Sequence, residues 1–199
     1  MTTKAFPPFY MIRHGETDWN REKRYQGRAD IPLNAHGREQ AAGNGRQLAA
    51  LGDDWSRWRF FSSPLGRARE TMEIIRTSMG LAPDAYTPDD RLIEVSFGKW
   101  EHRLMENLAA EEPAEMALRD ANKWAHVPPG GESYSQAVER VSAFLDDLDE
   151  PAVIVCHGGI LRATQYIFQG GDGREIADAA VPQDRIYKFD GTTARWLEN

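Results

Sequence analysis

Two apolar segments that end in the same way constrain the fold of this chain more than any other feature. FYMIRHG (residues 9–15) and AVIVCHG (residues 152–158) each read as a buried strand followed by histidine and glycine. Ligands of open α/β sheets bind just beyond the carboxyl ends of the strands. If the two strands are neighbours, His14 and His157 therefore lie side by side at one site.

The remaining pattern alternates short apolar runs with segments of helical periodicity, which predicts an α/β layer fold with a largely parallel sheet. In the helix predicted after residue 62, Ser63 is a natural N-cap and Pro64 suits the first turn. Ser133 and Gln136 form a capping box, and that helix is expected to run to Asp149. The other predicted elements are a strand at 59–63, helices at 34–51 and from 160, and a C-terminal hairpin around residues 190–191.

Length and charge limit the organisation and the partners. The 199 residues favour one domain spanning 1–199, and we expect the acidic segment before the Pro/Gly break HVPPGGES to form a small helical cap insertion at about residues 103–130. The net charge of −7 and the absence of a basic block argue against a nucleic acid partner. No apolar run approaches the ~20 residues that cross a bilayer, and no secretory signal is evident.

A single cysteine, Cys156, cannot form an internal disulfide. Its apolar surroundings suggest burial, which fits a reducing cytoplasm. We therefore expect a cytoplasmic protein with no membrane partner.

Several residues at the predicted site suit an anionic ligand such as phosphate. Glycine after each histidine would let the backbone approach a bound group, and the helix that follows Gly159 would direct N–H groups toward an anion. Arg67 lies in the first turn of its helix, and its planar guanidinium matches phosphate oxygens. A histidine after a strand is more often a structural hydrogen-bonding group, but for two in matching contexts the structural and functional interpretations carry about equal weight.

Six segments, in order along nearly the whole chain, resemble the histidine phosphatase superfamily, which includes the cofactor-dependent phosphoglycerate mutases. The resemblance implies a three-layer fold of the phosphoglycerate mutase type, with a mostly parallel central sheet flanked by helices. The segment PPGGES (128–133) resembles the phosphatase branch of the family. The segments are RHGETDWN (13–20), YQG (25–27), SSPLGRARET (62–71), IEVSFGKWE (93–101), VCHGG (155–159) and PPGGES (128–133).

The resemblance also implies roles for individual residues of an acid-type histidine phosphatase. His14 would be the nucleophile that becomes phosphohistidine, and Glu94 would be the proton donor. No metal or organic cofactor is implied, and the substrate would be a small phosphate ester. Arg13, Arg67 and His157 would form the phosphate pocket, with Asn20, Gly27 and Gly158 on the substrate side.

These roles require particular protonation states and positions of His14, His157 and Glu94. An attacking imidazole must present a lone pair, so His14 should be neutral, with its other ring nitrogen donating to a backbone carbonyl, and Arg13 and Arg67 should lower its pKa. His157 should be protonated at least while dianionic phosphate is bound. Glu94 should face His14 across the phosphate, with a pKa raised by burial or by the phosphate.

Other hypotheses stay open at this point. CHGGILR (156–162) fits the C-x-x-G-x-x-R loop of cysteine-based tyrosine phosphatases, although Cys156 and His157 should face opposite sides of a strand. The histidine spacings offer no ligand pair for a metal-dependent hydrolase. A phosphoglycerate mutase is the main alternative, and a non-catalytic phosphoprotein-binding relative is a remote one.

The cap segment departs from the family and bears on the leaving group. His102 follows Trp100-Glu101 where the family commonly has glycine, which puts the local loop geometry in doubt. The acidic cap disfavours highly anionic leaving groups unless Arg103, Arg119 or Lys123 turn inward. The residues do not predict which ester is cleaved, nor the oligomeric state.

Overall fold

A computed structural model, which describes residues 5–198, has a six-stranded sheet in the order β3-β2-β4-β1-β5-β6. The strands from β1 to β4 run parallel, while β5 is antiparallel to β1, and β6 to β5. The predicted, mostly parallel α/β sheet is confirmed. The strands are β1 (Phe9–Arg13), β2 (Arg59–Ser62), β3 (Thr87–Pro88), β4 (Ala152–Cys156), β5 (Ile186–Phe189) and β6 (Ala194–Trp196).

Eight α-helices are described between residues 5 and 198, and none of them combines the length and the apolar character needed to cross a bilayer. Three short 3₁₀ turns lie at 55–57, 90–92 and 98–100. The helices are α1 (Asp18–Arg21), α2 (Ala35–Ala50), α3 (Gly66–Ser78), α4 (Met105–Glu111), α5 (Pro113–Ala121), α6 (Tyr134–Asp146), α7 (Gly158–Gln169) and α8 (Gly173–Asp178).

Alternation along the central strands produces two cores, one on each face of the sheet. Tyr10 and Ile12 of β1 face α2 and α3, whereas Phe9 and Met11 face α6 and α7. The two helix layers and the sheet between them make the expected three-layer fold. Gly45 of α2 allows close packing, since a Cβ there would lie 2.7 Å from the Ile75 carbonyl oxygen of α3.

The predicted start of α3 is wrong. The helix begins at Gly66, with Leu65 at the N-cap position, rather than at Pro64 after a Ser63 cap. The Ser63 N–H extends the sheet by donating to the Val155 carbonyl, and its hydroxyl lies 2.7 Å from His157 Nε2. Asp30, from a distant loop, accepts the Gly66 N–H at 2.8 Å instead.

Helix α6 confirms the predicted capping box, in which Ser133 and Gln136 satisfy each other's backbone N–H groups. The helix ends at Asp146, three residues before the predicted Asp149, with Asp147 as its C-cap. Leu148 is nevertheless buried, so the apolar repeat continues past the last helical turn.

The cap segment consists of the two short helices α4 and α5. Its own small core is formed by Tyr25, Trp100 and Leu108, with Phe97 and Met116 packed against them. Trp100 is completely buried, which holds the cap helices against the loop after β1.

Candidate active site

The two histidine-bearing segments meet because β1 and β4 are parallel neighbours, with Arg13 opposite Cys156 in register. The ladder continues one residue further, where the His14 N–H donates to the Cys156 carbonyl oxygen at 2.9 Å. The ring centroids of His14 and His157 are 5.0 Å apart. The predicted pairing of the two imidazoles at one sheet edge is confirmed.

His14 is buried, and both ring nitrogens are engaged. Its Nδ1 lies 2.8 Å from the Gly15 carbonyl oxygen, which can only accept, so Nδ1 carries the proton and Nε2 holds the lone pair. Burial, followed by the charges of Arg67 and Arg13, holds the pKa of His14 well below its ordinary value. The sequence-based expectation of a neutral ring donating to a backbone carbonyl is confirmed.

Arg67 is the second residue of α3 and is 1% exposed. Its Nη2 donates to the Gly27 carbonyl at 2.7 Å and its Nη1 to the Ala29 carbonyl at 2.6 Å. A third N–H of the guanidinium, on Nε, is directed at His14 Nε2 at 3.2 Å. The guanidinium is therefore fixed from behind, with one N–H directed at the histidine lone pair.

Arg13 occupies the end of β1, and its Nη1 donates to the Val181 carbonyl at 2.8 Å. Its buried Nε has no hydrogen-bond partner among residues 5–198, so one donor is available to a ligand. Burial, only partly opposed by the charge of Glu94, lowers the pKa of Arg13 to about 10, which leaves it cationic at neutral pH.

His157 was expected in the phosphate pocket; it is completely buried and is not among the residues that line the cavity, although its ring centroid is 5.0 Å from that of His14. Its Nε2 is 2.7 Å from Ser63 Oγ, and its Nδ1 has no hydrogen-bond partner in the described part of the chain. Burial, followed by the charges of Arg67, His14 and Arg13, lowers the pKa of His157 well below its ordinary value. The lowered pKa favours the neutral ring, and its predicted protonation with bound phosphate stays a prediction.

Glu94 follows a 3₁₀ turn rather than lying at a strand edge. Its Oε1 accepts the N–H groups of Val95 at 2.9 Å and of Gly159 at 3.0 Å. A Cβ on Gly159 would lie 2.5 Å from that oxygen, so glycine there admits the carboxylate. The helix expected after Gly159 already includes this residue, and its N–H is occupied by Glu94 rather than free for an anion.

The residues expected on the substrate side lie where the resemblance places them. Asn20, Gly27 and Gly158 line the same cavity as His14. The Asn20 side-chain oxygen accepts the Thr17 N–H at 3.2 Å, which leaves its amide NH₂ for the cavity.

One glycine has a different role from the expected one. A Cβ on Gly15 would lie 2.1 Å from the Gly37 carbonyl oxygen of α2, so Gly15 serves backbone packing rather than approach to a ligand. Its N–H donates to Thr71 Oγ1 at 3.1 Å, which fixes the loop that carries His14.

The cavity has a volume of about 350 Å³, and it is richer in cations than the sequence motifs predict. Arg24, Arg119, Lys123 and Arg162 contribute to its wall in addition to Arg13 and Arg67. Arg162 lies one helical turn after Gly158 in α7, a spacing that could have identified it. The other wall residues are His14, Asn20, Tyr25, Gln26, Gly27, Glu94, Phe97, Met105, Tyr134, Gly158 and Gly159.

The thiol of Cys156 does not reach this cavity. It belongs to the core cluster between the sheet and α6 and α7, and burial raises its pKa well above the ordinary value. As predicted, it faces away from His157, and a nucleophilic thiolate is disfavoured at this position. Within residues 5–198, no three His, Cys, Asp or Glu side chains are grouped so as to hold a metal ion.

His102 adopts the left-handed conformation, with φ of 73°, which is the geometry that glycine tolerates best. Its exposed ring packs edge-on against Trp19, with centroids 4.9 Å apart, and it does not line the cavity. The loop thus keeps the backbone conformation that glycine favours, although histidine occupies the position.

Comparison with known proteins gives consistent relatives. A family model of the histidine phosphatase superfamily (branch 1) matches residues 9–198. The probable phosphoglycerate mutase GpmB of Salmonella paratyphi C is 39% identical over 194 residues, covering 94% of this chain and 86% of the relative.

Solved structures of a phosphatase and of a phosphoglycerate mutase are both similar to the chain. A mycobacterial glucosyl-3-phosphoglycerate phosphatase in complex with VO3 matches with a TM-score of 0.78 at 25% identity, covering 96% of each chain. A phosphoglycerate mutase from Thermus thermophilus matches with a TM-score of 0.66 at 37% identity, covering 92% of each chain.

Proposed function

This chain belongs to the histidine phosphatase superfamily, and we propose that it is a phosphomonoester hydrolase that forms a phosphohistidine at His14. The observation that carries the proposal is the state of His14. The ring is neutral, its Nδ1 is committed to the Gly15 carbonyl, and its Nε2 lone pair adjoins Arg67 in a cavity that fits a small metabolite.

In the first step, the Nε2 lone pair of His14 forms a bond to phosphorus while the bond from phosphorus to the leaving oxygen breaks. The Arg67 N–H that now contacts Nε2 moves to a phosphate oxygen, and the available Arg13 Nε donates to another. Both guanidinium groups are held by backbone carbonyls, so little reorganisation is needed as charge develops.

Glu94 is the proposed general acid, because among residues 5–198 it is the single carboxyl side chain that lines the cavity. It donates a proton to the leaving oxygen as the ester bond breaks. In the second step, it accepts a proton from the water that attacks the phosphohistidine, and inorganic phosphate leaves. In-line transfer requires Glu94 and His14 on opposite sides of the phosphorus.

The number of groups fits the difficulty of the reaction. Hydrolysis of phosphate monoesters requires rate enhancements of up to ~10²¹. A positioned acid supplies roughly 10²–10⁴ of this and one charge-stabilising donor roughly 10²–10³. Covalent capture by His14 and several fixed cations must therefore act together.

Access of water supports hydrolysis over mutase chemistry. Met105, at the rim of the cavity, is 40% exposed, so the cavity opens to solvent beside the short cap helices. A mutase must shield its phosphohistidine from water until the phosphate returns to a substrate. The name of the 39% identical relative makes phosphoglycerate mutase the second candidate.

A direct comparison tests the two activities. Release of inorganic phosphate from a panel of phosphate esters is measured beside interconversion of 2- and 3-phosphoglycerate, with and without 2,3-bisphosphoglycerate. We expect faster phosphate release from at least one ester, with an acid-labile phosphoenzyme trapped by rapid quenching. Interconversion faster than every hydrolysis would assign the chain to the mutases.

The proposal keeps three further expectations from the sequence. The partner is a small phosphate ester, with no nucleic acid or membrane partner, and the protein works in the cytoplasm. The buried, unpaired Cys156 and the net charge of −7 support these points.

A further inference from the structure

The charge of the cavity differs in sign from that of the whole chain. Within residues 5–198, six cationic side chains line it against the single carboxylate of Glu94, a formal charge of +5, whereas the chain carries −7. The phosphate group of a monoester supplies at most two negative charges. This leaves a formal surplus of three positive charges in the cavity wall, which a second negative group on the ligand would match.

Three of the six cations are grouped at the inner end of the cavity. Arg13 and Arg67 adjoin His14, as described above. Arg162 donates through Nε to the Ala177 carbonyl and through Nη2 to the Ala179 carbonyl, both at 3.0 Å. Its Nη1 would lie 3.2 Å from a Cβ on Gly158, so this nitrogen faces the glycine of the phosphate pocket.

The other three cations form the outer half of the cavity and come from Arg24, Arg119 and Lys123. Lys123 pairs with Asp178 at 3.1 Å, and Arg119 contacts Asp120 at 3.5 Å. Both carboxylates are more than two-thirds exposed, so water screens these ion pairs strongly. Arg24 pairs with Glu22 at 3.0 Å, and that carboxylate is 44% exposed. Arg119 and Lys123 therefore keep more of their charge for a ligand than Arg24 does.

Packing of the cap fixes the outer cations over the cavity. The His126 ring stacks on the buried Trp100 ring at 5.3 Å, and the Arg119 guanidinium lies 5.8 Å from the centre of the Tyr25 ring. Glu132 lines a narrow crevice behind Arg119 and Lys123. Its carboxylate is already paired with Arg28 at 3.1 Å and with Arg140 at 2.9 Å.

We infer that Arg119 and Lys123, with Arg24, bind a second anion, a carboxylate or a phosphate, on the leaving group of the substrate. The structure meets the exception that the sequence analysis allowed for an anionic leaving group, because Arg119 and Lys123 turn inward. Arg103 pairs with both Glu111 and Glu112 and does not line the cavity, whereas Arg119 and Lys123 do. The inference rests on the proposed hydrolysis and names its substrate class.

The test uses three esters of similar length that differ in the second group. They are 3-hydroxypropyl phosphate, which is neutral at that end, 3-(phosphonooxy)propanoate and propane-1,3-diyl bisphosphate. Values of kcat/KM from phosphate release are compared for the wild type, Arg119→Gln, Lys123→Gln and the control Lys99→Gln, an exposed cation outside the cavity wall.

For the wild type, we expect kcat/KM to be at least about tenfold higher for the carboxylate ester or the bisphosphate than for the neutral ester. For Arg119→Gln and Lys123→Gln, we expect kcat/KM for that preferred ester to fall roughly tenfold. The neutral ester should change less than about threefold in every variant, and Lys99→Gln should match the wild type. The preferred anion distinguishes carboxylate from phosphate.

Two outcomes overturn the inference in different ways. Equal kcat/KM for all three esters, or equal losses on the neutral and anionic esters, would refute the second anion site while hydrolysis stands. Failure to release phosphate from any ester in a broad panel would refute the proposed function, and the inference with it.

A separate observation concerns Ser63 and His157. Ser63 is completely buried, and its Oγ lies 2.7 Å from Nε2 of a ring whose Nδ1 has no partner among the residues that the structure describes. We propose that Ser63 is a positioning residue that donates its O–H to Nε2. The ring proton then resides on Nδ1, where it can be donated to a phosphate oxygen.

The tautomer is directly measurable by ¹⁵N NMR of labelled His157 in the free enzyme. We expect Nδ1–H in the wild type and in Ser63→Thr, which keeps the hydroxyl. Ser63→Ala should lower kcat by roughly tenfold, with KM nearly unchanged, and Ser63→Thr should restore most of it. An Nε2–H signal in the wild type, or unchanged kcat in Ser63→Ala, would refute this role.

Discussion

The inner and outer halves of the cavity carry similar charges but hold them differently. Arg67 in the inner half is 1% exposed and donates to two carbonyls and to His14. Arg119 in the outer half comes from the cap, and its contact with Asp120 is long and screened by water. A fixed inner half suits the reaction, which is common to all phosphate esters. The outer half suits selection among leaving groups.

This difference follows from where each half is built. The inner residues lie at the carboxyl ends of paired strands and at the starts of α3 and α7, where backbone hydrogen bonds define the geometry. The outer residues lie in the loop after α1 (Arg24), in cap helix α5 (Arg119) and just after that helix (Lys123), next to a small aromatic core. Substitutions in the inner half should reduce kcat for every ester, and those in the outer half should change preference.

The largest effect is expected for His14→Ala. Removal of the proposed nucleophile should lower turnover by at least about 10⁴-fold and abolish acid-labile labelling by phosphate esters. The control is His36→Ala, an exposed histidine outside the cavity wall. Survival of either turnover or labelling in a folded variant would remove His14 as nucleophile.

Glu94→Gln should lower kcat by roughly 10²–10⁴ for alkyl phosphates, because a poor leaving oxygen requires a proton. The loss should be much smaller for p-nitrophenyl phosphate, whose leaving group departs as an anion. Rate measurements on both esters, with Glu106→Gln of α4 as the control, check this. Equal losses on both esters would contradict the role as general acid.

Acid should destabilise the inner half through its two neutral histidines. Folding depresses the pKa values of His14 and His157 below their ordinary value of 6.5, so below that pH the unfolded chain binds more protons than the native state. The free energy of unfolding should then fall by up to about 1.4 kcal/mol per pH unit for each histidine.

Urea unfolding between roughly pH 7.5 and roughly pH 5, a range that spans the ordinary histidine pKa, measures this slope. His14→Gln should reduce the slope, because one of the two buried imidazoles is removed. His36→Gln should leave it unchanged. An unaltered slope in His14→Gln would show that His14 is not the source of the acid sensitivity.

Cys156→Ser should separate stability from catalysis. A hydroxyl in the apolar cluster should lower the free energy of unfolding by about 1–3 kcal/mol, while kcat changes less than about twofold because the thiol faces away from the cavity. Loss of turnover in a folded variant would return the cysteine-based mechanism to consideration.

The smallest effect is expected at His102, in the loop between the 3₁₀ turn at 98–100 and α4. His102→Ala and His102→Gly both lose the contact with Trp19, but only glycine tolerates the positive φ at this position. His102→Gly should therefore be the more stable of the two by about 1 kcal/mol. Turnover should stay within about twofold in both variants. A large loss of activity would mean that the ring contributes to the site after all.

The sequence alone determined the central layer and its two histidines. An apolar run that ends in histidine and glycine identifies a buried strand and its last side chain, and parallel packing brings such ends together. The pairing of His14 and His157 was predicted from the residues, whereas the placing of Arg67 and Glu94 at the same site came from a family resemblance.

Tertiary structure decided what depends on partners distant in sequence. Ser63 has the right chemistry to cap α3, but its hydroxyl contacts His157, and Asp30 caps the helix from another loop. Composition left open whether the cations of the acidic cap turn inward, and packing places Arg119 and Lys123 in the cavity wall. Periodicity identifies which side chains share a face, whereas the neighbour that each polar group meets is set only when the elements pack.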